Sequence, residues 1–304
     1  MSSLNIRQLE YFLTVAAHKS VTVAAAKLGV SQPTLTKTIR SLELELGVSL
    51  FERMPRGVDL TPYGQSLLRH AEAIRVQFGD AKSEIESLRG GKYGTVLIGA
   101  GPAWLRRHLP RAVAIATGKN PSIKVNVEGG YDDALLRALR RGELDMVIAE
   151  LPPKDEVRDL DLRPLTSDRL CVCCRAGHEL QGQPKLSLPD LLRFPWAMPP
   201  EATRAHQRFR SVFISKDLAP PNAVVETKSM AFLLQMVRFS DALTFTVTTT
   251  LKTPEATGVV ILDVPEVAAM RSAGIITRKD SWLSPAAEAI IDELVEICAR
   301  EPTN

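Results

Sequence analysis

The stretch Ala25–Arg40, AAKLGVSQPTLTKTIR, decides how this chain is read. It holds the end of one helical pattern and the start of another, with about three residues between them, the spacing of a helix-turn-helix. Gly29 stops the first pattern, because glycine takes the left-handed conformation of a helix end at little cost. Ser31 is placed to cap the second helix, and Pro33 is tolerated in its first turn, where backbone N–H groups have no intrahelical partner. Leu35, Ile39, Leu42 and Leu46 recur at 4-3-4 spacing and predict a buried stripe, which Gly47 ends.

Working outward, Ile6, Leu9, Leu13 and Ala16 predict one buried face of an earlier helix over about Asn5 to Ala17, and Thr22 is a candidate cap for the helix VAAAKL. The other face of the helix after Ser31 carries Gln32, Thr34, Thr36, Lys37, Arg40 and Ser41. Gln pairs bidentately with adenine, Thr offers a hydroxyl and a methyl group, and Lys and Arg reach guanine or phosphate. A solvated face explains a polar stripe alone, but the adjoining segment shifts the balance. LFERMPRGVDLT, residues 50–61, is a hairpin pattern turning at Pro55-Arg56-Gly57. A hairpin after such a helix makes a wing, and Arg53 and Arg56 on it can grip phosphates or enter the minor groove.

From Pro62 onward, Leu67, Ala71, Ile74, Phe78, Ala81, Ile85 and Leu88 recur at 4-3-4-3-4-3 spacing on an otherwise charged helix. A narrow apolar stripe of this period is a coiled-coil seam, so these residues predict pairing with a second copy of the helix. Gly90-Gly91 ends the segment as a hinge.

Beyond the hinge the pattern becomes α/β. TVLIGA, SIKVNVEGG and DMVIAEL read as strands, alternating with the helices WLRRHLPRAVAIAT and DDALLRALRRGE, an order that implies a parallel sheet. RLCVCCRAG opens a second such unit, and GIITRK with PAAEAIIDELVEICA reads as a return to the first. A length of 304 residues suits about two domains, and a hydrophobic fraction of 45% excludes a disordered chain. The N-terminus lacks a secretory pattern and no run of apolar residues suffices to span a bilayer, so a cytoplasmic location is expected. A net charge of +3 identifies no partner by itself.

Catalysis finds no support. GAGPAW has Trp104 where a dinucleotide fingerprint needs its third glycine. His18, His70, His108, His178 and His206 lack ligand spacing and are expected to be surface or partly packed, so neither a metal nor a cofactor is expected. Cys171 and Cys174 have redox spacing, yet on a strand they face opposite ways, and packed thiols are expected. Ligand binding is better supported, because open α/β sheets hold ligands beyond the carboxyl ends of their strands, near helix N-termini. Those places are Gly101 to Trp104, including Pro102 and Ala103; Gly129-Gly130; Glu150 to Pro152; Met198 to Pro200; Lys228 to Met230, including Ser229; and Thr246 to Thr248.

Residues from about Asn5 to Arg69 resemble the winged helix-turn-helix of LysR-type transcriptional regulators, through QLEYFLTVA, SVTVAAAKLGVSQPTLTKTIRSLE and LGVSLFERMPRGVDLTPYGQ. GELDMVIAEL, RLCVCCRAGHEL and LSLPDLL carry a looser resemblance to the family's effector domain. The resemblance implies an α/β protein with a winged helix-turn-helix over 1–62, a dimerising linker helix over 63–91 and an effector domain over 92–304. That domain would have two lobes similar to type 2 periplasmic binding proteins, one over about 92–165 and 268–304, the other over about 166–267. It also implies double-stranded DNA with a near-palindromic operator, a dimer pairing into a tetramer, contact with RNA polymerase and a small effector, often an organic acid, in the inter-lobe cleft. Gln32, Pro33, Thr34, Thr36 and Lys37, with Arg40, would then face bases, and Arg53 and Arg56 would sit in the wing. Thr36 stands where the family usually has Ser. The effector residues would be Pro102, Ala103, Trp104, Gly130, Glu150, Pro200, Arg204, Ser229, Thr246 and Thr248. Pro102 and Ala103 replace the family's usual carboxylate-holding hydroxyl, so the effector is expected to be less anionic or to be held from the other lobe by Ser229 and Arg204. A solute-binding protein with an added helical module and a cytosolic enzyme are the alternatives.

Overall fold

Asn5 opens the first helix, α1 (Ile6–His18), with a reciprocal cap: its side chain accepts from the Gln8 N–H while the Gln8 side chain accepts from the Asn5 N–H. The computed structural model describes residues 5–89, 94–183 and 185–301. The hinge glycines Gly90 and Gly91, and Lys92 where the effector domain was expected to begin, lie outside them. The chain divides into two compact units, Met1–Glu86 and Ser87–Asn304.

In the first unit α1 is followed by α2 (Val21–Leu28), α3 (Gln32–Leu46), the hairpin β1 (Phe51–Met54) and β2 (Gly57–Leu60), and α4 (Pro62–Leu88). Gly29 and Gly47 both take positive φ at helix ends. Ser20, not Thr22, caps α2, accepting from the Val23 N–H, since α2 starts two residues earlier than the apolar pattern suggests. The buried face of α1 is Leu9, Tyr11, Phe12 and Val15, whereas Ile6 is exposed and Leu13 and Ala16 are half-buried. Two overlapping stripes fit the helical period there, and the one carrying the bulky Phe12 removes more apolar surface from water. In α3, Leu35, Ile39 and Leu42 are buried, but Leu46 lies exposed in the last turn before Gly47 turns the chain away.

The second unit contains β3 (Thr95–Ala100), α5 (His108–Lys119), β4 (Lys124–Gly129), α6 (Asp132–Arg140), β5 (Met146–Glu150) and the long β6 (Leu160–Arg175). It continues through α7 (Leu188–Leu191), β7 (Trp196–Met198), α8 (Arg204–Ile214), β8 (Ala223–Glu226), α9 (Met230–Arg238), β9 (Thr244–Val247), β10 (Val259–Leu262), β11 (Met270–Arg278) and α10 (Pro285–Arg300). The main sheet runs β10-β6-β11-β5-β3-β4, with β9 also on β6. β3 pairs in parallel with β4 and β5, while β11 is antiparallel to both β5 and β6. The helix expected from Trp104 begins only at His108, after a 3-10 turn over Trp104–Arg106.

β6 and β11 join two lobes. The first half of β6 pairs with β11, and the second half pairs with β9 and β10. The first lobe packs Leu109, Ala112, Ile290 and Leu294 on one face of its sheet and Leu135, Leu139 and Ile276 on the other. In the second lobe alternate residues of β6 face two cores: Val172 and Cys174 meet Trp196 and Phe209, while Cys171 and Cys173 meet Leu233 and Val237. The β6–β11 register shifts between Ala273 and Gly274, where Gly274 lies opposite Pro164, a residue with no N–H to donate. A Cβ on Gly274 would come within 2.1 Å of the Arg163 carbonyl oxygen, so only glycine fits this crossing.

Candidate functional site

In the first unit, the exposed face of α3 is built by its own cap. The Ser31 side chain accepts from the Thr34 N–H, and the two hydroxyls lie 2.8 Å apart. Thr34 is thereby drawn into the cap. Gln32, Pro33, Thr36, Lys37 and Arg40, together with Ser41 and the 83% exposed Leu44, line one concave surface. Arg53 on β1 and Arg56 in the hairpin turn are exposed. Among the described residues no carboxylate pairs with Lys37, Arg40, Arg53 or Arg56. The wing is fixed to α3 by Glu43, whose carboxylate accepts from the Leu50 and Phe51 N–H groups at 2.8 and 3.3 Å. At the wing's tip Val58 N–H donates to the Lys19 carbonyl, and Gly57 at φ +105° leaves room that a side chain would close. Neither Glu43 nor Leu44 stood out in the sequence, where an acid and a leucine on a helix look ordinary.

Along α4, Leu67 and Ala71 pack into the first unit's own core, which corrects their assignment to the seam. Ile74, Phe78, Ala81, Ile85 and Leu88 are exposed.

Between the lobes of the second unit lies a cavity of about 60 Å³. Pro102, Ala103, Trp104, Glu150 and Thr246 line it, together with Tyr131, Asp132, Met230, Thr250 and Arg271. Trp104 is 5% exposed and sits mainly in the first lobe's core, edge-on to His108. Gly130 and Pro200 line a neighbouring hollow of about 270 Å³ with Tyr131, Asp133 and Lys228. Arg204, Ser229 and Thr248 line neither. The Arg204 guanidinium is engaged by Glu156 and Asp133 at 3.0 and 3.6 Å, and the Ser229 hydroxyl caps α9 by accepting from the Phe232 N–H. Thr248 begins a short 3-10 turn in which Thr250 is the buried residue.

The cleft's floor is ionic. Glu150, 3% exposed at the end of β5, accepts from Arg208 of α8 and, at 3.2 Å, from Arg271 of β11. Arg271 in turn grips Asp168 of β6 through two nitrogens, and Asp168 also accepts from the Thr249 hydroxyl at 2.9 Å. Asp132, on the first turn of α6, is buried beside these groups, and burial followed by the nearby Glu150 charge pushes its carboxyl up to about 6.

The four cysteines are free and buried. Cys171 and Cys173 share a face with sulfurs 3.8 Å apart, and Cys174 faces the other core. The Cys171 thiol and burial hold Cys173 well above the usual thiol range, and burial pushes Cys174 to about 11. His18 and His70 are exposed, but His108, His178 and His206 are buried, contrary to expectation. Each buried ring has a partner: Glu301 for His108, the Leu180 N–H and Asp241 carbonyl for His178, and the Pro199 carbonyl for His206. Burial lowers the His108 pKa. Among the described residues no cluster of His, Cys, Asp and Glu could hold a metal, and no helix is long and apolar enough to cross a membrane.

A winged helix-turn-helix unit and a two-lobed α/β unit with a cleft between its lobes define the class, and the sequence profiles agree. Residues 6–65 match the bacterial regulatory helix-turn-helix proteins of the lysR family, and residues 89–299 match the LysR substrate binding domain. The chain belongs to the LysR family of transcriptional regulators. It is 31% identical over 294 residues to the regulator GbpR of Azospirillum brasilense, covering 96% of this chain and 86% of that one. It is 35% identical over 243 residues to PcaQ of Agrobacterium fabrum, covering 79% and 77% respectively. Full-length CbnR in complex with its target DNA has the same fold, with a TM-score of 0.60 at 20% identity over 97% of this chain and 100% of CbnR. A full-length OxyR variant from Pseudomonas aeruginosa superimposes with a TM-score of 0.65 at 22% identity, covering 97% and 95%.

Proposed function

We propose that this regulator reads a near-palindromic operator with Gln32, Pro33, Thr36, Lys37 and Arg40 in the major groove, while Arg53 and Arg56 hold the flanking phosphates. The concave face of α3 carries this reading, because its cations have no carboxylate partner among the described residues and stand free to displace counterions. Thr34 serves the cap of α3 rather than a base.

The working division is a DNA-binding domain over 1–62, a linker helix over 63–91 and an effector domain over 92–304. Two chains pair through Ile74, Phe78, Ala81, Ile85 and Leu88, the exposed part of the α4 seam. The pairing sets two recognition helices about one DNA turn apart. Dimers then associate into a tetramer in the cytoplasm. An effector in the inter-lobe cleft changes lobe closure and, through it, DNA bending and contact with RNA polymerase. The chain acts by binding and not by catalysis.

Operator binding by the full chain, followed by gel shift at rising salt, tests the interface. Lys37→Ala or Arg53→Ala should weaken binding to operator and random DNA alike and reduce the slope of log K against log salt by about one. Slopes equal to wild type would remove these residues from the interface. Ile74→Glu should convert dimers to monomers, because an apolar seam cannot bury an unpaired carboxylate. An unchanged sedimentation mass would count against the seam.

A further inference from the structure

The ion pairs under the cleft leave one carboxyl over. Glu150 spends its two oxygens on Arg208 and Arg271, and Arg271 spends its remaining nitrogens on Asp168. Two guanidinium groups and two carboxylates therefore balance. Asp132 stands outside this network: it is 8% exposed, it lines the same cavity, and no hydrogen bond reaches its carboxyl among the described residues. The charged groups facing it are Glu150 on β5, Arg271 on β11, Arg204 on α8 and Asp133 on its own helix, and each of the two arginines is already committed to other carboxylates. The N-terminal dipole of α6 favours a negative charge there, but it does not offset burial beside Glu150, since the carboxyl titrates near 6 instead of below 4.

The cavity's other walls supply no charge to neutralise an anion: Pro102 has no N–H, Ala103, Ala149 and Val247 offer no polar side-chain atom, and the Tyr131 and Thr250 hydroxyls and the Trp104 indole are uncharged donors. Among the described residues Arg271 is the one cation lining the cavity, and its nitrogens are engaged. The Thr246 hydroxyl is turned to the Met230 sulfur at 3.7 Å. A ligand carboxylate would bring a second uncompensated negative charge into a buried space, whereas an N–H or O–H donor would satisfy the one already there.

We propose that the inter-lobe cleft takes a small ligand presenting a hydrogen-bond donor, an ammonium or a hydroxyl group, to Asp132, and that it rejects a carboxylate at this position. This rests on the cleft being the effector site, and it names the chemistry that site accepts.

Three probes share one skeleton and differ only in this group: propylammonium, propan-1-ol and propionate. Each is titrated at millimolar concentration and matched ionic strength, at about pH 7.5 where Asp132 is ionised, against the full chain, with the melting temperature as readout. Propylammonium should raise it dose-dependently. A comparable rise with propan-1-ol marks a hydroxyl ligand, and a rise with the ammonium alone marks an amine. In Asp132→Asn, and in Asp132→Ala as a second variant, affinity for the active donor should fall on the order of tenfold or more. The proposal is overturned by a rise with propionate that exceeds the donors', by a donor effect that survives both substitutions, or by no effect from any probe. Ala205→Trp, which fills the cavity, separates the donor assignment from the cleft itself. A propionate rise that this variant abolishes would overturn the donor assignment and leave the effector cleft standing. A rise that persists in it would place binding outside the cleft and sink both.

Discussion

Asp168→Ala should lower the unfolding free energy of the two-lobed unit by about 3–5 kcal/mol. The Arg271 side chain is 13% exposed, and Asp168 meets it through two nitrogens, at 2.5 and 3.1 Å. Removing the carboxylate leaves a buried guanidinium with only Glu150, which is already shared with Arg208. An exposed pair such as Lys82–Glu86 contributes under about 1 kcal/mol, because water and salt screen it. The three tryptophans, Trp104, Trp196 and Trp282, all belong to the two-lobed unit, so their fluorescence in urea isolates the relevant transition. Combining Asp168→Ala with Arg271→Leu should recover part of the loss, since the orphaned charge goes with its partner. A single-variant loss below about 1 kcal/mol would mean that solvent reaches the network.

Asp132→Asn should instead stabilise the protein, and only above mildly acidic pH. The folded carboxyl titrates near 6 against an ordinary 3.8, so folding favours its protonated form. That contribution is complete below about pH 4 and is lost as pH rises through about 6, leaving the wild type weaker at neutrality by about 3 kcal/mol. The asparagine variant carries no such titration. Its advantage over wild type should therefore grow across this window and stay level above about pH 7. An advantage of equal size at both ends would show that packing, not charge, sets the difference. A buried carboxyl that costs stability until a donor meets it is what a ligand site looks like before its ligand arrives.

Much of the first unit was legible because its signals are local. Gly29, Ser31 and Gly47 act within their own turns, and Pro55-Arg56-Gly57 marks the hairpin without reference to distant residues. Where reading failed there, two local answers competed: Ser20 and Thr22 can both cap, and two stripes on α1 share one period. The seam on α4 was periodic throughout, yet Leu67 and Ala71 are claimed by their own domain's core, which periodicity cannot distinguish from a partner helix. In the second unit the strand and helix alternation came through, and the loop after β3 lines the cleft, where the end of a parallel strand puts it. The ionic floor did not come through. Arg271 stands 103 positions from Asp168 and 121 from Glu150, so only the crossing of β6 and β11 brings them together. The burial of His108, His178 and His206 was invisible for the same reason, since each ring's surroundings come from other parts of the fold.

The route of the chain through the two lobes has a consequence for synthesis. β9 and β10 complete their pairing with β6 by Leu262, so the second lobe has its strands as soon as that residue leaves the ribosome. The first lobe, begun earlier, must wait for β11 and for α10, whose Ile290, Leu294 and Ile297 fill its core. The nested lobe can thus close while the outer one still lacks its last strand and helix. A nascent chain stalled before Met270 would hold one finished lobe beside an open apolar sheet, a ready substrate for chaperones.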